Sequence, residues 1–244
     1  MKRAFAAAVS LLAAFAGAAT EDSTIPPFSA MTPAPGIPAG WSEVRLPHWK
    51  APDYALVADE GSTVLRVHSQ AAAGSLARAL SMQPVEHTTL AWRWKIDRVV
   101  EHGDLETRAG DDYAARVYVF FDVPDSALPF GMRAKMKIAR LIYGGDVPGA
   151  ALCYVWDNKH RRGTVHVNAY ASTVRMIVVE SGNERAGHWM AESRDIDRDF
   201  RTAFADFWHQ PTPRVTGVAI GNDTDQTHET VTAWFSDLRL GAAR

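Results

Sequence analysis

Two adjacent carboxylates, Asp111 and Asp112, stand at the entrance of an apolar run from Tyr113 to Phe121. That run carries Arg116 and Tyr118 at alternating positions. A second acidic pair, Asp223 and Asp225, falls in the turn sequence GNDTDQT. Carboxylates at this density can do three kinds of chemistry. They can hold a hard cation, because Ca²⁺ takes about six to eight oxygens and loop aspartates supply them. They can work as a pair across a sugar, one titrating high and the other normally. They can also accept the hydroxyls of a polar ligand. The cation pattern is incomplete: counting from Asp223, His228 stands where an EF-hand needs glycine, and no glutamate follows at the twelfth place. Aspartate is also an ordinary turn residue, since its side chain satisfies local backbone donors. Asp112 paired with Arg116, or with Arg93, would serve the fold alone.

Arg116 sharpens the choice. A guanidinium in mid-strand must be paired or must face a groove, because burying it alone is too costly. With an open groove, Arg116, Tyr118 and Trp92 or Trp94 would form a platform: indoles stack on apolar ring faces and arginine forks toward oxygens. The candidate ligand-binding residues are therefore Asp111, Asp112, Arg116, Tyr118, Asp223, Asp225, Trp92 and Trp94.

Stronger catalytic signatures are missing from the sequence. Glu180-Ser181-Gly182 is the nearest approach to a nucleophile elbow and lacks its first glycine. No His-Glu-x-x-His, Walker or dinucleotide glycine pattern occurs. Cys153, the only cysteine, sits between Leu152 and Tyr154 and reads as core. No metal, no cofactor and no catalytic residue is assigned from sequence. The formal net charge of -2 leaves no nucleic-acid footprint.

The elements that must position these residues read as short strands. Leu90, Trp92, Trp94 and Ile96 alternate with Ala91, Arg93 and Lys95, which predicts a half-buried strand. In the same way Tyr113, Ala115, Val117, Val119 and Phe121 share one predicted face, and Ala114, Arg116, Tyr118 and Phe120 the other. Further strands are expected at 63–69, 75–82, 151–157, 164–169, 174–181, 187–193, 215–222 and 230–240. Helices are expected at Gly131–Tyr143, which is cationic, and at Asp197–Trp208, whose aromatic stripe reads as core packing. Many short strands separated by turn residues predict an all-β, jelly-roll-like antiparallel sandwich with one or two short helices.

The N-terminus carries Lys2 and Arg3, an apolar stretch from Ala4 to Phe15, and small residues at Ala16-Gly17-Ala18. This predicts a cleavable signal peptide over residues 1–18 and a periplasmic or secreted protein. No other segment is long and apolar enough to span a membrane as a helix. Pro26, Pro27, Pro33, Pro35 and Pro38 predict an extended arm over residues 19–40, followed by one sandwich domain from 41 to 244.

Taken in order, TLAWRWKID, GDDYAARVYVFF, ALCYVWDN, the VVESG turn and GNDTDQT resemble the bacterial family called domain of unknown function 3047. The resemblance runs from about Trp41 to Leu240. It implies an exported all-β protein and brings no assigned catalytic residues. The closing AWFSDLRL is similar to the last strand of jelly-roll carbohydrate-binding modules. The functional expectation is a non-catalytic module for a polar small molecule or glycan. The alternatives are a polysaccharide hydrolase or lyase using the aspartates, and a structural protein of the cell envelope.

Overall fold

The computed structural model describes residues 24–46, 49–143 and 148–242. The expected signal peptide lies outside them. The first strands are β1 (Ala34–Pro35), β2 (Ser42–Arg45), β3 (Asp53–Asp59), β4 (Ser62–Gln70), β5 (Ala73–Met82), β6 (Thr88–Ile96) and β7 (Tyr113–Phe121). After helix α1 (Phe130–Tyr143) come β8 (Ala150–Asp157), β9 (Val165–Val167), β10 (Val174–Ser181) and β11 (Met190–Asp195). Helix α2 (Ile196–Ala203) then leads to β12 (Val215–Asp223), β13 (Thr230–Phe235) and β14 (Arg239–Ala242).

Two seven-stranded sheets result. The first has the order β1-β3-β4-β13-β6-β11, with β14 also on β6. The second has the order β2-β5-β12-β7-β8-β10-β9. Among the described ladders β8 and β10 run parallel and the rest antiparallel. The expected jelly-roll-like all-β sandwich is thus the fold. The core lies where the sheets meet: Trp92 packs 5.4 Å from Tyr154, and Trp94 lies 5.8 Å from Trp156.

The strand expectations differ from the structure in instructive places. Ser42–Arg45 and Asp53–Asp59 were not singled out by their pattern and form β2 and β3. The expected 230–240 strand breaks at Ser236–Leu238, because Asp237 turns to accept from the Ser29 amide (2.9 Å) and hydroxyl (2.6 Å). That contact holds the N-terminal arm on the sandwich, where Phe28 stacks 5.5 Å from Trp41. The second helix is shorter than its aromatic stripe. Asp195 caps it by accepting from the Arg198 amide at 2.9 Å, and it ends as Phe204 leaves helical geometry. The stripe is core, as expected: Phe200 and Phe204 are fully buried, 4.6 Å apart.

The opening strand also departs from simple alternation. Between β7 and β12 the register shifts, so Gly221 faces Arg116 while Asp223 faces Tyr113. One extra residue on β7 is a β-bulge, and a bulge moves every side chain beyond it to the other face. Tyr113 therefore joins Arg116 instead of Val117, with its ring 5.8 Å from the guanidinium. Gly221 is needed beside them. A Cβ there would come within 2.6 Å of the Gly74 carbonyl oxygen and 2.8 Å of Ser75 Oγ.

Candidate functional site

The bulge and the turn after β12 gather the two acidic pairs around Arg116. Asp223 closes β12; it forms an ion pair with Arg116, and its Oδ1 accepts from the Tyr113 amide at 3.2 Å. Asp112 Oδ2 accepts from the amides of Gln226 (3.1 Å) and Thr227 (2.7 Å), pinning the GNDTDQT turn to the start of β7. Asp225 accepts from Gln226 Nε2 at 2.7 Å. Asp111 takes Asn168 Nδ2 at 3.1 Å on each oxygen. Asn168 in turn accepts from the Tyr170 and Ala171 amides at 3.0 Å. Nothing in the sequence around Asn168 marks it as the partner of Asp111, since the two meet only through tertiary packing.

This cluster is closed. Arg116 is 5% exposed, and the four aspartates lie between 1% and 4%. The Arg116 guanidinium stacks 5.5 Å over the Tyr118 ring, which is itself buried. Arg116 thus meets the paired alternative posed by its mid-strand position, with Asp223 as its partner. Asp112, suggested from the sequence as a partner for Arg116 or Arg93, instead takes the two backbone amides, and Arg93 lies 3.7 Å from Glu60 and 5.0 Å over the Trp189 ring.

Burial sets the electrostatics. It pushes the Asp111 carboxyl up to about 6, with Arg116 pulling the other way. Burial, then the charge of Asp112, takes Asp225 up to about 7. Asp112 and Asp223 are raised as well, burial again leading. For Arg116, burial opposes the charge, and the Asp223 carboxylate beside it wins, holding the guanidinium charged.

The tryptophans sort differently from the grouping drawn from sequence. Trp92 and Trp94 point between the sheets and are 2% and 0% exposed. Their ring contacts are with each other, Tyr154 and Trp156. Trp94 Nε1 donates to Glu192 Oε1 at 3.3 Å. Burial beside Glu180 pushes the Glu192 carboxyl up to about 7.

Trp49 and Trp208, partly exposed, lie outside the strands, whereas Trp189 and Trp234, partly exposed too, flank Lys95 on the outer face of the first sheet. Lys95 there pairs in register with Trp234, and its Nζ sits 4.9 Å from the Trp234 ring and 5.2 Å from the Trp189 ring. Lys95 also pairs with Asp59. Beside this row a cleft of about 430 Å³ is lined by Ala91, Arg93, Ala191, Ser236, Asp237 and Arg239 among others. Ala91 and Ala191 are outward positions with short side chains, so the sheet is dished between the polar groups. The signal for this face was present in the sequence: Arg93 and Lys95 were on the wet side of β6. Strand pairing sets Trp234 beside Lys95, while Trp189 meets Lys95 from the segment just before β11.

The described residues therefore define an antiparallel-rich β-sandwich with a sealed carboxylate–guanidinium cluster between two loops and an aromatic, cationic outer face. The chain belongs to the family described as "Protein of unknown function (DUF3047)", whose model matches residues 39–239. Comparison with curated proteins gives no match. Among solved structures, the chain is similar to endoglucanase Cel12A from Rhodothermus marinus. Identity is 10% over 86% of this chain and 98% of that one, with a TM-score of 0.46. It is also similar to the xyloglucanase domain of NopAA from Sinorhizobium fredii, solved with cellobiose. There identity is 8% over 86% and 97% of the two chains, with a TM-score of 0.44. An endo-1,4-β-glucanase, CelB2, matches at 12% identity over 86% and 96%, also with a TM-score of 0.44. Likeness this loose transfers no chemistry to the present chain.

Proposed function

We propose that this protein is an exported, non-catalytic β-sandwich that binds a polar ligand of the glycan class on the outer face of its first sheet. One observation carries the reading: the row of Trp189, Lys95 and Trp234 beside a dished polar cleft. Half-buried indoles offer apolar faces to sugar rings at little entropic cost, and the arginines and Asp237 around the cleft can take hydroxyls. Export is supported by the basic, apolar and small-residue order of residues 1–18. The sealed aspartates stand apart from this face. At 1–4% exposure they offer a polysaccharide no approach, which weighs against the hydrolase alternative built on them.

Calorimetric titration with soluble cell-envelope and plant saccharides tests the proposal. Trp189→Ala and Trp234→Ala should each weaken binding by roughly tenfold or more, as buried aromatic anchors do, with the fold intact by circular dichroism. The reading is refuted by an absence of heat with every saccharide class, or by binding that neither substitution changes. Either outcome would leave the envelope structural role in its place.

A further inference from the structure

The buried cluster holds more oxygen acceptors than its hydrogen bonds use. Asp112, Asp223 and Asp225 each bring a carboxylate oxygen within 4.8 Å of the others. Asp112 engages Oδ2 with two amides, while its Oδ1 is buried without a hydrogen-bond partner. Asp225 repeats the pattern, with Oδ2 on Gln226 and Oδ1 buried and unpartnered. Gln226 Oε1, from the same turn, is also buried and unpartnered. A buried polar group left unsatisfied costs about 1–3 kcal/mol, and more when it is charged. Such a concentration of unmet acceptors in one turn calls for a positive partner.

The available cation falls short of that need. Asp111, Asp112, Asp223 and Asp225 gather around Arg116, so four carboxylates meet one guanidinium, a formal excess of three negative charges. Arg116 is committed to Asp223.

We propose that Asp112, Asp223 and Asp225 form a binding site for a hard divalent cation, with Ca²⁺ preferred to Mg²⁺. All three donors are carboxylate oxygens, the class that suits hard cations over zinc or copper. Ca²⁺–oxygen bonds run about 2.3–2.6 Å, so three oxygens spaced evenly around one ion stand about 4.0–4.5 Å apart, and the three here, all within 4.8 Å of one another, need to close by a few tenths of an ångström at most. Ca²⁺ accepts irregular coordination, whereas Mg²⁺ demands an octahedron and keeps its waters, which suits a sealed site less well. A divalent ion would cut the excess of three charges to one. It would also tie the GNDTDQT turn to the start of β7, the junction that Asp112 already bridges. The ligands come from two distant segments of chain, which is why an EF-hand count from Asp223 does not find them.

Calorimetric titration of the secreted chain, stripped with EDTA, against CaCl₂ tests this site. The expected result is a single binding isotherm. At about a hundredfold excess over Kd the thermal midpoint rises by roughly 5–10 °C, and MgCl₂ raises it less. Asp225→Asn removes one ligand and one repelling charge. It should fold in EDTA at least as stably as the wild type and lose at least tenfold in Ca²⁺ affinity. Asp53→Asn, at an exposed position that opens β3, should keep the wild-type response. The proposal is overturned by an absence of heat and of any midpoint rise with millimolar CaCl₂. It is equally overturned if Asp225→Asn responds like the wild type or fails to fold in EDTA.

Discussion

Glu192 makes the stability of this sandwich depend on pH in a direction opposite to that of most carboxylates. Its side chain lies between the sheets, bonded by Trp94 Nε1 at 3.3 Å. Burial leads in raising its pKa from 4.5 to about 7, and the neighbouring Glu180 adds to the rise. A carboxyl raised in the folded state is protonated there while the unfolded chain has already ionised. Its favourable contribution is therefore complete below 4.5 and is lost as pH climbs through about 7. At about 1.36 kcal/mol for each tenfold change in proton affinity, the span from 4.5 to about 7 sets a ceiling of about 3 kcal/mol. The rise to about 7 is already net of the opposing pull of Arg162 and Arg194; solvent at the sheet edge screens part of it and leaves about 1–2 kcal/mol. Glu192→Gln keeps an acceptor for Trp94 and removes the ionisation. Urea denaturation of both proteins from pH 4 to 8 gives the difference. The variant should match the wild type at the acid end and gain about 1–2 kcal/mol over it by pH 8, most of the change falling between 4.5 and 7. Taking the difference cancels Asp111 and Asp225, which titrate in the same range. A difference curve that stays flat across the window, or a variant less stable at pH 8, would refute the reasoning.

Two further substitutions test the cluster and its packing. Arg116→Met keeps the length of the side chain and strands Asp223 in the interior; equilibrium denaturation at pH 8 should show a loss of about 3–5 kcal/mol. That loss should shrink at pH 5, where protonation relieves the aspartates. Gly221→Ala brings a methyl group within 2.6 Å of the Gly74 carbonyl oxygen, and chemical denaturation should register about 1–3 kcal/mol of overpacking. A neutral Gly221→Ala would mean that β5 and β12 can part to admit it.

Much of this protein is legible before any fold is seen. Alternation alone told the two faces of β6 apart, since Trp92 and Trp94 must leave water while Arg93 and Lys95 must keep it. The cationic first helix, the aromatic core stripe of the second and the all-β class follow from the same reasoning. The cost of an unpaired buried guanidinium required that Arg116 be paired or face a groove, and the aspartates on either side of it were visible candidates. Which candidate it takes was not legible. Asp223 lies more than a hundred residues along the chain from Arg116, and only the antiparallel pairing of β7 with β12 brings them together. The bulge that carries Tyr113 across to Arg116, the meeting of Asp111 with Asn168, and the placing of Trp234 beside Lys95 share that cause. Each depends on the register of strands distant in sequence. A one-residue change of register moves a side chain from core to surface and leaves the local pattern untouched.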